Sequence, residues 1–204
     1  MVVTLDLDGT LFDFPGIFSE KLSLKTNKSF KPSSMKHYSY KAFLPKALHG
    51  WAETLLKDPD FYLESNVIDG SKEFVKKLAC FCDVYVITAR PNSLREMTEF
   101  QVRSNFPEIK DIFIANYKCP IAQEIGSQFH LDDDPWWAIS MAAQGINAAL
   151  YSQPYNQELN VMEYPHMYRI DEYSQFLQLI SSQYKEHNGG RFNISPAKLI
   201  GGTL

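Results

Sequence analysis

Apolar residues along this chain switch between short unbroken runs and helical spacing. Residues 2–7 form the first run, too short for a helix and therefore read as a buried strand. Residues 14–24 then place Phe14, Ile17, Phe18 and Leu22 at helical intervals, and residues 45–56 read as a second helix. A polar stretch rich in Lys, Ser and Tyr separates the two. From Asp69 a regular alternation resumes. Residues 71–81 put Phe74, Val75, Leu78 and Ala79 on one helical face, and residues 83–88 read as a strand. Pro91 opens a helix reaching about Phe106, proline being suited to a first turn. A strand over 111–115, a helix over 120–125, a strand over 128–131, a helix over 135–144 and a last strand over 147–151 follow. Residues 170–184 read as a closing amphipathic helix with Tyr173, Phe176, Leu177 and Ile180 inward, and 187–204 as a flexible tail.

Strands alternating with helices imply a parallel sheet covered on both faces. The expected architecture is a Rossmann-like α/β core from residues 1–13 and 69–186, with a small, mainly helical cap over 14–68 inserted after the first strand. At 204 residues and 45% hydrophobic, the chain has enough apolar surface for one such core. No apolar run approaches the roughly 18 residues of a membrane span, so no membrane partner is expected. The N-terminus has no leader pattern. Three cysteines (Cys80, Cys82, Cys119) lack metal-ligand spacing and suit reduced thiols, so a cytoplasmic location is expected. Charge is uneven: residues 21–52 hold seven lysines and no Asp, Glu or Arg, so the overall −4 less this +7 leaves −11 for the remainder. A basic insert sits beside an acidic body.

Five of the 24 acids fall at two strand ends. The first run stops at Asp6-Leu7-Asp8-Gly9-Thr10, and the strand near 128–131 stops at Asp132-Asp133-Asp134-Pro135. In an open α/β sheet both ends reach the crevice where ligands bind. Four carboxylates (Asp6, Asp8, Asp132, Asp133) meeting there at ~5 Å would repel by roughly 3 kcal/mol per pair at an effective dielectric of ~20. Such a cluster must take up protons or hold a cation, and an oxygen-only, open site favours Mg²⁺. A second reading is open for the later acids, which also suit the N-terminus of the helix at Pro135. His130 reads as a satisfied core histidine, and Trp136 and Trp137 as packing anchors.

The string Asp6-Leu7-Asp8-Gly9-Thr10-Leu11 resembles the first motif of the haloacid-dehalogenase-like (HAD) phosphohydrolases. Three further signals follow in the family's order: Thr88 ending Val84-Tyr85-Val86-Ile87-Thr88, then Lys118, then the acids after Leu131. The resemblance implies a Mg²⁺-dependent phosphomonoester hydrolase. In it Asp6 is the nucleophile and forms an aspartyl-phosphate, and Asp8 is general acid and then base. Thr88 would hold phosphoryl oxygens, and Lys118 would neutralise developing charge, with Arg90, Arg95 and Arg103 as alternatives for that basic role. The metal would lie on Asp6, on Asp133 and on the backbone carbonyl of Asp8, with Asp132 either a direct ligand or a support behind the ligands.

Within that family the chain is most similar to the deoxyribonucleotidase branch and its bacterial and phage relatives. The similarity rests on Leu11-Phe12-Asp13-Phe14 with Phe18, and on Phe61-Tyr62-Leu63-Glu64 before Ile68-Asp69-Gly70. It departs at Ala89, where the branch favours Ser, and at Gln101 and Arg103, where the branch carries its lysine. The implied substrate is a small phosphate ester, foremost a nucleoside monophosphate, with Phe14 stacking on the base. Phe18, Phe43, Trp51 and Arg90 are further substrate-contact candidates. Aromatic residues of the insert (Phe30, Tyr38, Tyr40, Phe43, Trp51) offer stacking faces worth ~1–3 kcal/mol per base, or else form the insert's own core. Interleaved lysines and rings would also suit a nucleic-acid end, so a polynucleotide 3′-phosphatase is an alternative substrate reading, as is a sugar-phosphate phosphatase. A non-catalytic binding module on the same fold is a third, though its signature, loss of Asp6 or Asp8, is missing.

Overall fold

The structure, a computed structural model, describes the backbone of residues 1–187 and the side chains as far as Ser182. Apart from His187, the tail expected over 187–204 lies outside the described residues. The strands are β1 (Val2–Leu5), β2 (Asp83–Thr88), β3 (Asp111–Ile114), β4 (Phe129–Asp132), β5 (Asn147–Tyr151) and β6 (Met167–Ile170). They form one sheet in the order β3-β2-β1-β4-β5-β6, with every neighbouring pair parallel. The chain winds outward from β1 through β2 and β3, then returns to lay β4, β5 and β6 on the other side. The switch point therefore lies between β1 and β4, and their C-terminal ends open the crevice that such sheets use for ligands.

The helices are α1 (Phe14–Thr26), α2 (Tyr40–Phe43), α3 (His49–Leu55), α4 (Pro59–Leu63), α5 (Ser71–Ala79), α6 (Arg95–Asn105), α7 (Lys118–Glu124), α8 (Pro135–Ala143) and α9 (Tyr173–His187). Side chains alternate across each strand and so build two cores. Val3, Leu5, Val84, Val86, Phe129 and Leu131 face a cluster completed by residues of α5, α6 and α9. Ile87, Ala148, Leu150 and Met167 face a second one with Ala122 of α7 and Ala138, Met141 and Ala142 of α8. The expected Rossmann-like α/β fold is the one observed.

Three details differ from the sequence expectation. A sixth strand, β6, ends at Ile170, where the closing helix was expected to begin. Only its end residues Met167 and Ile170 are buried, so this edge strand shows no alternation in sequence. The insert carries four helices rather than two, because α2 and α4 are too short to establish a periodicity. Helix α7 starts at Lys118, two residues before Pro120, which sits in the first turn where its missing N–H is not needed.

The insert has its own buried cluster (Ile17, Phe18, Leu22, Met35, Leu44, Ala52, Phe61, Tyr62), met from the sheet side by Leu94 and Tyr155. The chain leaves and rejoins the sheet layer at one place. The Asp13 amide donates to the Asn66 carbonyl at 2.8 Å and the Ile68 amide to the Leu11 carbonyl at 2.9 Å, around an antiparallel bridge between Phe12 and Val67. Asp13 also caps α1, accepting from the Gly16 amide at 2.9 Å.

Helix α9 is held by aromatic contacts: the Phe176 ring lies 5.9 Å from Phe74 and 6.4 Å from Phe129, and is fully buried. Phe176→Ala should therefore cost about 3–5 kcal/mol of unfolding free energy in a urea titration. A loss under about 1 kcal/mol would show that α9 contributes little to the core.

Candidate active site

The β1–β4 register sets Leu5 beside Leu131, so the next residues, Asp6 and Asp132, emerge side by side at the end of the sheet. Both point to the α7–α8 face. Helix α7 places Lys118 over them, with Nζ 2.6 Å from Asp6 Oδ1 and 2.6 Å from Asp132 Oδ2. All three side chains are buried. Beneath them runs a polar chain: His130 Nε2 lies 2.9 Å from Asp132 Oδ2 and His130 Nδ1 lies 2.8 Å from Thr4 Oγ1. An ionised carboxylate only accepts, so Nε2–H donates to Asp132, and a neutral His130 then receives the Thr4 hydroxyl proton at Nδ1. Burial pushes the His130 pKa down, against the pull of Asp132, which suits that neutral form.

Asp133 completes the cluster from the other side. Its Oδ1 accepts from Thr10 Oγ1 at 3.0 Å and its Oδ2 from the Tyr155 hydroxyl, while its carbonyl accepts from Asn156 Nδ2 at 2.9 Å. Gly9, at φ +86°, passes so close that a Cβ there would overlap the Asp133 carboxylate and the Tyr155 hydroxyl. Asp134 does not face the site. It caps α8, accepting from the Trp136 amide at 2.9 Å. The acid run thus serves both readings its sequence left open, two residues in the site and one in the cap.

Electrostatics set this cluster apart from an ordinary ion-pair network. Burial pushes Asp6 up to about 7; Lys118 opposes the shift, and the charges on Asp132 and Asp8 add to it. Asp133 is likewise pushed well above the carboxylate range, through burial first and then Asp132 and Asp6. Asp132 alone is held low, because Lys118 and His130 together outweigh its burial. Burial disfavours the Lys118 charge as well, but Asp132 and Asp6 more than offset that and push its pKa upward. One ammonium is therefore too little positive charge for three buried carboxylates. Asp6, Asp132 and Asp133 each offer an oxygen within 4.8 Å of the others, a donor set that fits a hard divalent cation.

The expected quartet is a trio. Asp8 turns its carboxylate away to Arg90, which donates from Nε to Oδ2 at 2.7 Å and from Nη2 to Oδ1 at 2.6 Å. A cavity of about 370 Å³ opens between Asp8 and the insert. Its lining combines Asp6, Asp8, Thr88, Arg90 and Lys118 with the rings of Phe14, Phe18, Tyr38, Tyr40 and Phe43, and Tyr38 packs 5.7 Å from Tyr155, beside the acids. Thr88 Oγ1 accepts from the Arg90 amide at 3.3 Å, which leaves its hydroxyl proton free to face the cavity.

Of the substrate-contact candidates, Phe14, Phe18, Phe43 and Arg90 reach this cavity. Trp51 does not: its ring packs 6.0 Å from Phe18 within the insert's core. Of the alternatives to Lys118, Arg95 binds Asn92 and Glu99, and Arg103 binds the carbonyls of Ile109 and Lys110, so neither reaches the acids. Trp137 lies beside Lys118, 5.8 Å from its Nζ, whereas Trp136 is 68% exposed and anchors nothing. Sequence reasoning missed Tyr155, Asn156 and Thr10 as the holders of Asp133, and Gln101 as a partner of Arg90. Thr10 stands within the Asp6–Leu11 string, whereas no motif announces Tyr155, Asn156 or Gln101. The Asn and Gln residues in the loop after β5 were the available hint.

The fold is that of known hydrolases. The chain is similar to a haloacid dehalogenase-like hydrolase of Streptococcus pneumoniae (TM-score 0.62, 13% identity, covering 88% of this chain and 97% of that one). It is also similar to a HAD-superfamily hydrolase of subfamily IA from Geobacter sulfurreducens (TM-score 0.59, 13% identity, 88% and 95% covered). A third likeness is to a protein of Bacillus subtilis assigned as a HAD hydrolase and solved bound to magnesium (TM-score 0.55, 14% identity, 88% and 97% covered). No curated protein sequence gives a significant match. At such identities these likenesses establish the fold. The class is that of HAD phosphatases, which hydrolyse phosphomonoesters. Residues 1–185 match the model of the family "5′ nucleotidase, deoxy (Pyrimidine), cytosolic type C protein", and the chain belongs to that family.

Gly9→Ala tests the tightness of this packing. A side chain there forces a strained backbone and displaces Asp133, so stability should fall by about 1–3 kcal/mol. Phosphatase activity should fall with it. Unchanged stability and turnover would show that the loop has room to spare.

Proposed function

We propose that the protein is a Mg²⁺-dependent 5′-nucleotidase-type phosphatase that works through an aspartyl-phosphate on Asp6, with residues 14–68 acting as a cap over the site. The observation that carries this reading is the cavity itself. Charged and hydroxyl groups line it together with aromatic rings, in a volume suited to a mononucleotide. A purely sugar-phosphate enzyme would have little use for Phe14, Phe18, Phe43 and Tyr38 around its substrate, and base stacking accounts for them.

The bound cation would lie on Asp6, Asp132 and Asp133, where it supplies positive charge to those acids and to a substrate phosphoryl oxygen. Lys118 orients the Asp6 carboxylate through Oδ1, and an oxygen of that carboxylate attacks phosphorus. Asp8 enters this step as the neutral acid: as the P–O bond to the leaving group breaks, it gives its proton to the departing oxygen and becomes the carboxylate that the Arg90 fork holds. A water then attacks the phosphorus of the aspartyl-phosphate and loses its proton to Asp8. The bond to Asp6 breaks and inorganic phosphate leaves. Thr88 donates its hydroxyl proton to a phosphoryl oxygen in both steps. A cytoplasmic location is part of the proposal, supported by three cysteines that are all free and by the lack, among the described residues, of any helix long and apolar enough to cross a membrane.

Release of inorganic phosphate across a panel of phosphomonoesters tests the substrate class. Nucleoside monophosphates should lead the panel, and a preference for sugar phosphates or an oligonucleotide 3′-phosphate would overturn the nucleotide reading. Asp6→Asn should abolish release with the circular dichroism spectrum unchanged. An active variant would end the covalent mechanism.

Cation binding should also be visible without turnover. Asp6 is raised from 3.8 to about 7, so without a cation the folded state holds a proton that the unfolded state has lost, and stability drops as pH rises through that interval. A divalent cation displaces this proton. The gain in Tm on adding Mg²⁺ should therefore grow between pH 5.5 and pH 8, and a gain independent of pH would count against the site.

A further inference from the structure

Arg90 is buried, and each of its three nitrogens already donates to a side chain. Nε and Nη2 grip both oxygens of Asp8 at 2.7 and 2.6 Å, and Nη1 donates to Gln101 Oε1 at 2.7 Å. The guanidinium lies between two rings, 4.5 Å from the centroid of Tyr62 and 5.4 Å from that of Phe12. Gln101, itself buried, donates onward to the backbone carbonyl of Tyr62 in α4. The two N–H groups left over belong to Nη1 and Nη2, nitrogens already bonded to Gln101 and Asp8. Two side chains and two rings thus fix the guanidinium on four sides.

We infer that Arg90 is the positioning residue for Asp8, and that the Gln101–Tyr62 link anchors it to the segment where the insert returns to the sheet. The inference rests on the proposed acid–base role of Asp8. A bidentate fork fixes the plane of the carboxylate, where a single hydrogen bond would let it rotate. It also keeps Asp8 from turning into the Asp6–Asp132–Asp133 cluster, where a fourth carboxylate would meet only one lysine. Asp8 is thereby held on the cavity wall, beside the route of a leaving group and apart from the acids around Asp6. Arg90 acts through Asp8 and does not touch the reacting atoms.

Leaving-group dependence separates this role from phosphate binding. The nitrophenolate of p-nitrophenyl phosphate departs without a proton, whereas the alkoxide of an alkyl phosphate or a nucleoside monophosphate needs one. In Arg90→Lys, which keeps the charge but loses the fork, kcat/KM should fall about 100-fold or more on the alkyl esters. On p-nitrophenyl phosphate it should fall no more than about 10-fold, with inhibition by inorganic phosphate changed less than roughly twofold. Gln101→Leu should show the same pattern at smaller size, and serves if the Arg90 variant loses its cooperative unfolding transition. Adding Arg90→Lys to Asp8→Asn should produce no further leaving-group-dependent loss. Equal losses on every ester together with weakened phosphate inhibition would assign Arg90 to phosphate binding and overturn the inference, as would full activity on all esters. If Asp8→Asn itself shows no leaving-group dependence, the acid–base reading fails and takes this inference with it. If Asp8→Asn shows the dependence and the Arg90 and Gln101 variants do not, only the positioning role fails.

Discussion

The Lys118 ammonium, lodged between Asp6 and Asp132, is the contact on which the site's geometry depends. Burying three carboxylates with one cation is unfavourable, and a stability-optimised core would place apolar residues there. The surrounding structure is arranged to hold it nonetheless. Parallel β1 and β4 set the acids side by side, α7 begins at the lysine, and the neutral His130 supports Asp132 from below. The pairing is one-sided: three buried carboxyl groups share one ammonium, an imbalance that protonation or a bound cation relieves. Function accounts for this cluster better than stability does.

Much of this was legible in the sequence, and for definite reasons. Apolar runs ending in acids reveal strand ends, because a strand buried on both faces has no other place for charge. That logic identified β1 and β4 and located Asp6, Asp132 and Asp133 at the crevice, while β2 was read from its apolar run ending at Thr88. Lys118 was harder, since a lone lysine carries no local signal and only its place between Thr88 and Asp132 marked it out. The orientation of Asp8 was not legible. It depends on Arg90, 82 residues away, and through it on Gln101. Tyr155 and Asn156 are likewise long-range partners, and β6 lacks the alternation that makes a half-buried strand visible.

The insert shows why its two sequence readings did not compete. Phe18 is almost fully buried in the insert's cluster and still lines the cavity, and Phe14 stacks on it at 5.6 Å. A ring has an edge for packing and a face for a ligand, so the same residues give the insert its core and the cavity its wall. Trp51 lies one layer further out and serves only the first purpose. The insert's many lysines stay at its surface; Lys21 and Lys41 pair with Glu64 and Glu53, the latter at 3.2 Å.

The twin backbone crossing at Leu11–Asp13 and Asn66–Ile68 has an evolutionary consequence. Because outgoing and incoming strands of chain are zipped together there, the sheet sees only their fixed spacing and not what lies beyond. Lengthening a loop adds little closure entropy once its ends are joined, so segments of very different size can be exchanged at this junction without refolding the catalytic layer. A change of insert would thus leave the ends of β1 and β4 where they are.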